Sequence, residues 1–251
     1  MLAIVMAGGL GKRLRPLTDH IPKPMIRLAG KPIIERVMDS LSQQGFKRVI
    51  VTIGYLGEMI RLHLGPEWKG MEVSYLEEQH PLGTAGCLSL LRHLDEPFVM
   101  MNADLLTDYP LQQARQAVCN GASACMVVLQ KAVSIRYGQV TFDAEGTLNT
   151  MVEKRPYFYY ASAGIYGVAP DAMQLIPKGR SKLGYTKEGK RPTFYDGVRM
   201  DWPDLIASLK HAGRRIVVRP MPPSCTWYDI GIPEDLKEAE QVARKLYGGL
   251  P

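Results

Sequence analysis

The side chains with the most chemistry to offer are a lysine and two arginines behind a run of glycines, a second lysine between prolines, and two isolated aspartates. Ala7-Gly8-Gly9-Leu10-Gly11-Lys12-Arg13-Leu14-Arg15 follows directly on the apolar run Leu2–Met6. Without Cβ atoms, Gly8, Gly9 and Gly11 let the backbone close on a phosphate chain and turn its N–H groups inward, while Lys12, Arg13 and Arg15 add cationic donors. The segment reads as an anion cradle. Spacing excludes two familiar phosphate loops. A dinucleotide fingerprint starting at Gly9 needs glycine or alanine at Leu14, and a Walker A loop needs glycine at Met6 and Ser or Thr at Arg13.

Downstream stand Pro22-Lys23-Pro24-Met25 and Gly30-Lys31-Pro32-Ile33. Prolines on both sides hold Lys23 in extended backbone with few alternatives, which suits an ammonium that must reach one fixed point. Asp104 closes the run Phe98 to Asp104, where an apolar strand empties into polar residues at its carboxyl end, the edge at which open α/β sheets bind ligands. Asp229 stands in Trp227-Tyr228-Asp229-Ile230-Gly231, about 125 residues later. Glu77-Glu78-Gln79-His80-Pro81-Leu82-Gly83-Thr84-Ala85-Gly86 offers amide and backbone groups at a strand end, with Thr84 placed to cap a helix.

The elements that must carry these groups follow from periodicity. Short β-branched or apolar runs predict strands at Leu2–Met6, Arg48–Ile53, Met71–Leu76, Phe98–Met101 and Ala124–Leu129, then at Gly138–Phe142, Leu148–Glu153, Ser162–Val168 and Ile216–Arg219. Helical patterns fall at Pro32–Gln44, with Gly45 as C-terminal cap, and at Gly57–Leu64, Thr84–Leu94, Leu111–Asn120, Pro203–His211 and Pro233–Tyr247. Strand and helix alternate through the first half, which argues for a parallel, helix-covered sheet. From Ala124 to Val168 strands succeed each other with short turns, so an antiparallel β excursion should be appended there. No repeat or low-complexity tract interrupts the chain.

The combined string AGGLGKRLRPLT, PKPM and GKPI resembles the nucleotide-binding motif of the sugar-1-phosphate nucleotidyltransferases, also called NDP-sugar pyrophosphorylases. That resemblance implies a Rossmann-like three-layer α/β sandwich with a mostly parallel mixed sheet. It implies one domain over 1–251, with a nucleotide-binding part near 1–120, a sugar-binding part near 121–235 and a C-terminal helix near 233–247. It also implies transfer of a nucleotidyl group from an NTP to a sugar 1-phosphate, giving an NDP-sugar and pyrophosphate. The nucleotide contacts implied are Ala7, Gly8, Gly9, Gly11, Lys12, Gln79, Pro81, Gly83, Thr84 and Asn102. Arg13 would serve the departing pyrophosphate and Lys23 the region between the substrates. Asp104 and Asp229 would hold Mg²⁺, and Gly138, Glu153, Lys154 and Ser162 would meet the sugar phosphate. Leu82-Gly83-Thr84-Ala85-Gly86 is most similar to the mannose- or heptose-1-phosphate guanylyltransferase branch, so GTP is the first expectation, with dTTP and UTP as alternatives. Three positions depart from the family pattern. Lys12 stands for Thr or Ser, Arg155 for the proline after Lys154, and Ser162 for asparagine.

At 251 residues and 46% hydrophobic content the chain can bury a full core. Its net charge of +6 is spread along the sequence, so a small phosphate-rich substrate is expected and a nucleic-acid partner is not. The densest basic stretch, Lys178–Arg199, reads as a solvated loop or a flap over an anion. Cys87, Cys119, Cys125 and Cys225 lack metal or disulfide spacing. No apolar run is long enough to span a membrane and no secretory leader is visible, so a cytoplasmic location and no membrane partner are expected. Oligomeric state is left open. Three rival readings are a phosphocholine cytidylyltransferase, which shares the glycine loop and framed lysine, a nucleic-acid-binding protein, which is the bland reading of the charge, and a non-catalytic nucleotide-sugar binding protein. A sensor of that kind should have lost lysine or carboxylate groups, yet Arg13, Lys23, Asp104 and Asp229 are all present.

Overall fold

The computed structural model describes residues 1–91, 94–178, 180–181 and 195–247. Of the basic stretch predicted at Lys178–Arg199, most lies outside the described residues.

Strands of three residues or more are β1 (Leu2–Ala7), β2 (Arg48–Ile53), β3 (Met71–Glu77), β4 (Phe98–Asn102), β5 (Leu105–Thr107), β6 (Ala124–Ser134), β7 (Gln139–Phe142), β8 (Leu148–Val152), β9 (Pro156–Val168), β10 (Ile216–Pro220) and β11 (Trp227–Asp229). The helices are α1 (Ile33–Gln43), α2 (Gly57–Leu64), α3 (Gln112–Cys119), α4 (Trp202–His211) and α5 (Pro233–Tyr247). The main sheet runs β10-β6-β9-β4-β1-β2-β3, with Glu67–Trp68 added at the far edge. β1 pairs in parallel with β2 and β4, and β2 with β3, so all four carboxyl ends reach the same edge. β9 runs antiparallel to both β4 and β6, while β10 returns parallel to β6. This is the mostly parallel mixed sheet that the family resemblance implies, parallel through the half where strand and helix alternate.

Both faces of the sheet are covered. Along β1, Ala3 and Val5 join one core cluster with α1, α3 and α5, while Leu2 and Ile4 join a second with α4. Successive strand side chains point to opposite faces, so this alternation defines a three-layer sandwich. α1 buries Ile33, Ile34, Val37, Met38 and Leu41 along one stripe. It ends in the predicted glycine cap, for Gly45 has φ +80° and donates to Ser42 O at 3.0 Å while Phe46 N donates to Leu41 O at 3.1 Å.

Two expectations change. The helix predicted over Thr84–Leu94 is a short 3₁₀ turn at Gly86–Leu90. Gly86 lies against the Val198–Met200 backbone, where a Cβ would meet Val198 O at 2.7 Å, and this tertiary contact sets the local geometry. The antiparallel excursion is only half appended. The inner halves of β6 and β9 belong to the main sheet, and their outer halves run on past it into the separate hairpin β7–β8.

α3 lies close over β9 because Gly167 has no side chain: a Cβ there would sit 2.2 Å from Ala114 O. Gly167→Ala is expected to destabilise the fold by about 1–3 kcal/mol, the usual range for overpacking. Urea unfolding checks this, and an unchanged midpoint would mean that α3 does not sit on β9 as described.

Candidate active site

The carboxyl ends of β1, β2, β3 and β4 open onto a cleft of about 300 Å³ whose walls include Gly8, Gly9, Thr52, Glu78, Asn102 and Asp104. The glycine loop forms its floor. Gly54, beyond the end of β2, passes so close beneath that a Cβ there would meet Gly8 O at 2.8 Å. Gly11 has φ +61°, and any Cβ would strike Thr18 Cγ2 at 2.9 Å and approach Lys23 Cβ at 3.3 Å. The buried Thr18 hydroxyl fixes the turn by donating to Gly11 O at 2.8 Å. Leu14, fully buried, anchors the short 3₁₀ turn Lys12–Leu14 that presents Lys12 and Arg13 to solvent.

The extended backbone expected for Lys23 stops at Pro22 (φ −68°, ψ 144°): Lys23–Met25 closes into a 3₁₀ turn, with Met25 N donating to Pro22 O at 2.8 Å and Ile26 N to Lys23 O at 3.1 Å, because the buried Pro24 docks as the turn's second residue. The Lys23 ammonium donates to Asp104 Oδ2 and lies 4.0 Å from Asp229 Oδ1. The two aspartates are joined by a ladder that sequence periodicity does not reveal. β11 pairs antiparallel with β5, setting Asp229 opposite Leu105, one residue from Asp104. Ile230 N donates to Asp104 O at 3.1 Å, Thr226 N to Asp108 Oδ1 at 2.7 Å and Thr107 Oγ1 to Thr226 O at 2.8 Å. Arg13 joins from the far side, with its Nη2 3.5 Å from the place where a Gly231 Cβ would be.

Burial and the neighbouring Asp104 charge raise the Asp229 carboxyl above the ordinary range, while Lys23 and Arg13 pull it back. Asp104 Oδ1 is buried and has no hydrogen-bond partner. A buried carboxylate oxygen without a donor, facing a second carboxylate, has the chemistry of a hard-cation site. Among the described residues no group of three or more His, Cys, Asp or Glu side chains clusters around a common point, so a cation here would rest on two carboxylates, as Mg²⁺ commonly does.

On the opposite wall, Pro81, Gly83 and Thr84 line the cleft and Gln79 is exposed beside them. This loop is held by a segment that the sequence reading did not single out. Met200 N donates to Leu82 O at 2.8 Å, Ala85 N to Met200 O at 3.0 Å and Thr84 N to Asp201 Oδ1 at 2.8 Å. Gly83 has φ +83°, and a Cβ there would lie 2.6 Å from Met200 O. Thr84 therefore does not cap a helix of its own. Its hydroxyl accepts from Trp202 N at 3.0 Å, at the start of α4.

Glu78 is a second residue missed from sequence, where it looks like one polar residue among several. Its Oε2 accepts from Leu82 N at 3.2 Å, and its Oε1 would lie 2.9 Å from a Cβ on Gly8. Burial raises its carboxyl above the usual range, and the Leu82 N–H and Thr52 hydroxyl partly offset that.

Asn102 connects the cleft to the β9 side. Gly164, at φ +69°, packs so closely that a Cβ would meet Asn102 Nδ2 at 2.7 Å. Trp227 Nε1 donates to Ala163 O at 2.9 Å, tying the same stretch to the aspartate ladder. Ser162 turns back to share a 2.8 Å hydrogen bond with the Tyr166 hydroxyl. Gly138, Glu153 and Lys154 group together beyond the sheet, with a Cβ on Gly138 only 3.1 Å from Glu153 Oε1. No interaction among the described residues joins them to the aspartate pair.

A family model described as Nucleotidyl transferase matches residues 2–245. The chain is 36% identical over 183 residues to the mannose-1-phosphate guanylyltransferase catalytic subunit beta of Drosophila melanogaster, covering 69% of this chain and 50% of that protein. It is 34% identical over 209 residues to a mannose-1-phosphate guanyltransferase of Yarrowia lipolytica, covering 78% and 57%. The chain thus spans about half the length of these curated relatives. Among solved structures, HddC from Yersinia pseudotuberculosis complexed with GMP-PN superposes with a TM-score of 0.62 at 22% identity, over 96% of this chain and 98% of that one. A Bacillus anthracis candidate glucose-1-phosphate thymidylyltransferase gives 0.70 at 21% identity, over 97% and 96%. At those identities the two structures speak to the fold.

The Lys23 ammonium is the cation nearest the two aspartates among the described residues. Lys23→Ala should therefore lower the melting temperature by several degrees in chelator, and added Mg²⁺ should restore more stability to the variant than to the parent. Thermal melts with and without Mg²⁺ check this. Equal Mg²⁺ responses in the two proteins would show that the pair does not take up the cation.

Proposed function

We propose, from the premise that this chain belongs to the nucleotidyl transferase family, that it transfers a nucleotidyl group from GTP to a sugar 1-phosphate of the mannose type, releasing pyrophosphate. The observation that carries the reading is the meeting of Lys23, Asp104 and Asp229 at one end of a cleft floored by Gly8 and Gly9.

The chemistry asks little of the protein beyond position and charge. An oxygen of the sugar 1-phosphate attacks the α-phosphorus, the bond from that phosphorus to the β-phosphate oxygen breaks, and pyrophosphate leaves with the electron pair. A phosphate monoester is already anionic at neutral pH, so no general base and no covalent enzyme intermediate is needed. Asp104 and Asp229 would hold Mg²⁺, which when bound supplies neutralisation of phosphate charge. Lys23, poised at both carboxylates, would present its ammonium to the phosphate oxygens between the two substrates. Arg13, on the solvent side of the same trio, would take the departing pyrophosphate. The Gly8-Gly9 backbone would bear the nucleotide, since a side chain at Gly8 would collide with Glu78.

The base is assigned to guanine on two grounds. The curated relatives are mannose-1-phosphate guanylyltransferases by name. Glu78 also supports it, because guanine presents adjacent N1–H and N2–H donors that a carboxylate can accept together, whereas uracil and thymine present a single N3–H. Asn102, which lines the cleft beside Asp104 with Gly164 packed behind it, marks the wall where the sugar phosphate would lie, with the exposed Ser162 nearby in sequence. The described contacts leave Glu153 and Lys154 outside that wall, so a role for them requires the outer strands to approach the cleft.

A matrix of NTPs against sugar 1-phosphates, scored by pyrophosphate release in Mg²⁺, tests the reading. GTP with mannose 1-phosphate or a close analogue should turn over fastest. Glu78→Gln should reduce the ratio of kcat/KM for GTP over UTP by about 10- to 100-fold, the scale for losing one buried polar discrimination. An unchanged base ranking would remove Glu78 from base recognition, and absence of turnover across the matrix from folded, nucleotide-binding protein would favour the non-catalytic reading.

A further inference from the structure

Beyond the main sheet, β6 and β9 continue as a two-stranded ladder from Gln130–Tyr160 out to Ser134–Pro156, and the chain between them forms the β7–β8 hairpin. Every residue from Val140 to Tyr160 is exposed. β7 and β8 pair with each other and with no other described strand. The hairpin is nevertheless two-faced. Val140, Phe142 and Met151 point to one side, with Leu148 set opposite Phe142 across a bulge, and these four are 49%, 66%, 63% and 61% exposed. The other side carries Thr141 and Thr150, whose hydroxyls share a hydrogen bond of 2.7 Å. The ladder adds Tyr157, Phe158, Tyr159 and Tyr160, all exposed.

Isolated two-stranded hairpins are at best marginally stable in water. The four hairpin residues alone leave roughly 400 Å² of apolar surface in solvent on one side, within the range of a typical monomer's largest apolar patch, and the four consecutive aromatics, which alternate between the faces of the ladder, extend each face by two rings.

Charge indicates what covers this surface. The tip of the hairpin carries Asp143 and Glu145, a net charge of −2. Its root carries Arg136, Lys154 and Arg155 against Glu153, which is +3 − 1 = +2. Four residues of strand separate the two groups by roughly 13 Å. A short arm with an acidic tip, a basic root and an apolar face between is complementary to its own copy laid antiparallel against it. A two-fold axis imposes that arrangement, because each tip then meets the other chain's root.

We infer that the β7–β8 arm is a self-association surface, and that the chain forms a two-fold dimer in which the apolar faces of two arms pack together, tip against root. The inference does not depend on the nucleotidyl-transfer reading and uses none of that site's residues as probes. Sedimentation equilibrium of the full chain across the micromolar range tests it. The parent protein should be a dimer, and Phe142→Asp with Met151→Asp should weaken association about 100-fold or more while leaving the melting temperature of the main domain in place. Two charge-reversed chains add a stricter test. A tip-reversed chain (Asp143→Lys, Glu145→Lys) and a root-reversed chain (Arg136→Glu, Arg155→Glu) should each be monomeric alone, and an equimolar mixture should form a one-to-one dimer. A parent chain that stays monomeric throughout would overturn the inference and leave the arm to a different partner. A dimer indifferent to both the apolar and the charge variants would place the interface elsewhere.

Discussion

Two carboxylates and one ammonium share a partly buried space at the open edge of the sheet, and much of the surrounding structure is arranged to keep them there. Asp104 follows the central strand β4, Asp229 comes from β11 near the end of the chain, and Lys23 rises from a proline-framed turn near its beginning. Bringing two like charges together is unfavourable unless a cation lies between them, and Asp229 registers this in a carboxyl raised by burial and by Asp104. Lys23 is the internal cation. It leaves Asp104 Oδ1 without a donor, so the trio of two carboxylates and one ammonium keeps one negative charge in excess and is incomplete in hydrogen bonding. That imbalance gives a divalent ion and a phosphate chain something specific to satisfy.

The rest of the fold can be understood as support for this trio. The parallel strands β1, β2 and β3 bring the glycine floor and Glu78 to the same edge as Asp104. Helix α5 holds the segment after β11 through Asp235, whose carboxylate accepts from Gly231 N and Ile232 N at 3.1 Å each. The same helix reaches the chain beyond Lys23, where Ala29 N donates to Glu240 Oε2 at 2.7 Å. One helix therefore braces the elements that carry Asp229 and Lys23. Loss of either hydrogen-bond set would loosen the charges relative to one another, which matters in a site whose work is positioning.

Much of this was legible from residue types because the signals were local. Apolar runs marked nine strands, seven of them to within one residue, and Gly45 marked the end of α1, whereas β6 and β9 run five and six residues past their predicted limits and the prolines around Lys23 frame a 3₁₀ turn in place of extended backbone. What escaped was set by distant contacts. β5 and β11 are three residues long and have no periodicity to detect, yet their pairing unites the aspartates. The segment after Thr84 has the composition of a helix, but Met200 and Asp201 clamp it into a 3₁₀ turn. Glu78 could not be told from Glu77, since only the fold turns one inward beside Gly8 and leaves the other exposed. The arm shows the reverse limit, for alternation predicts its strands equally well whether or not its apolar face is covered.

The central claim is that Asp104 and Asp229 act as one unit, and a double-mutant cycle on kcat/KM for nucleotidyl transfer at saturating Mg²⁺ tests it most directly. Asp104→Asn and Asp229→Asn preserve side-chain shape while each removes one charge, so each should cost on the order of 10²-fold or more with the fold intact. Groups holding the same ion are non-additive, so the double variant should lose clearly less than the product of the two single losses. Losses that multiply, or near-normal activity in Asp229→Asn, would contradict the account, because either result would mean that the β5–β11 ladder does not build a single charge site.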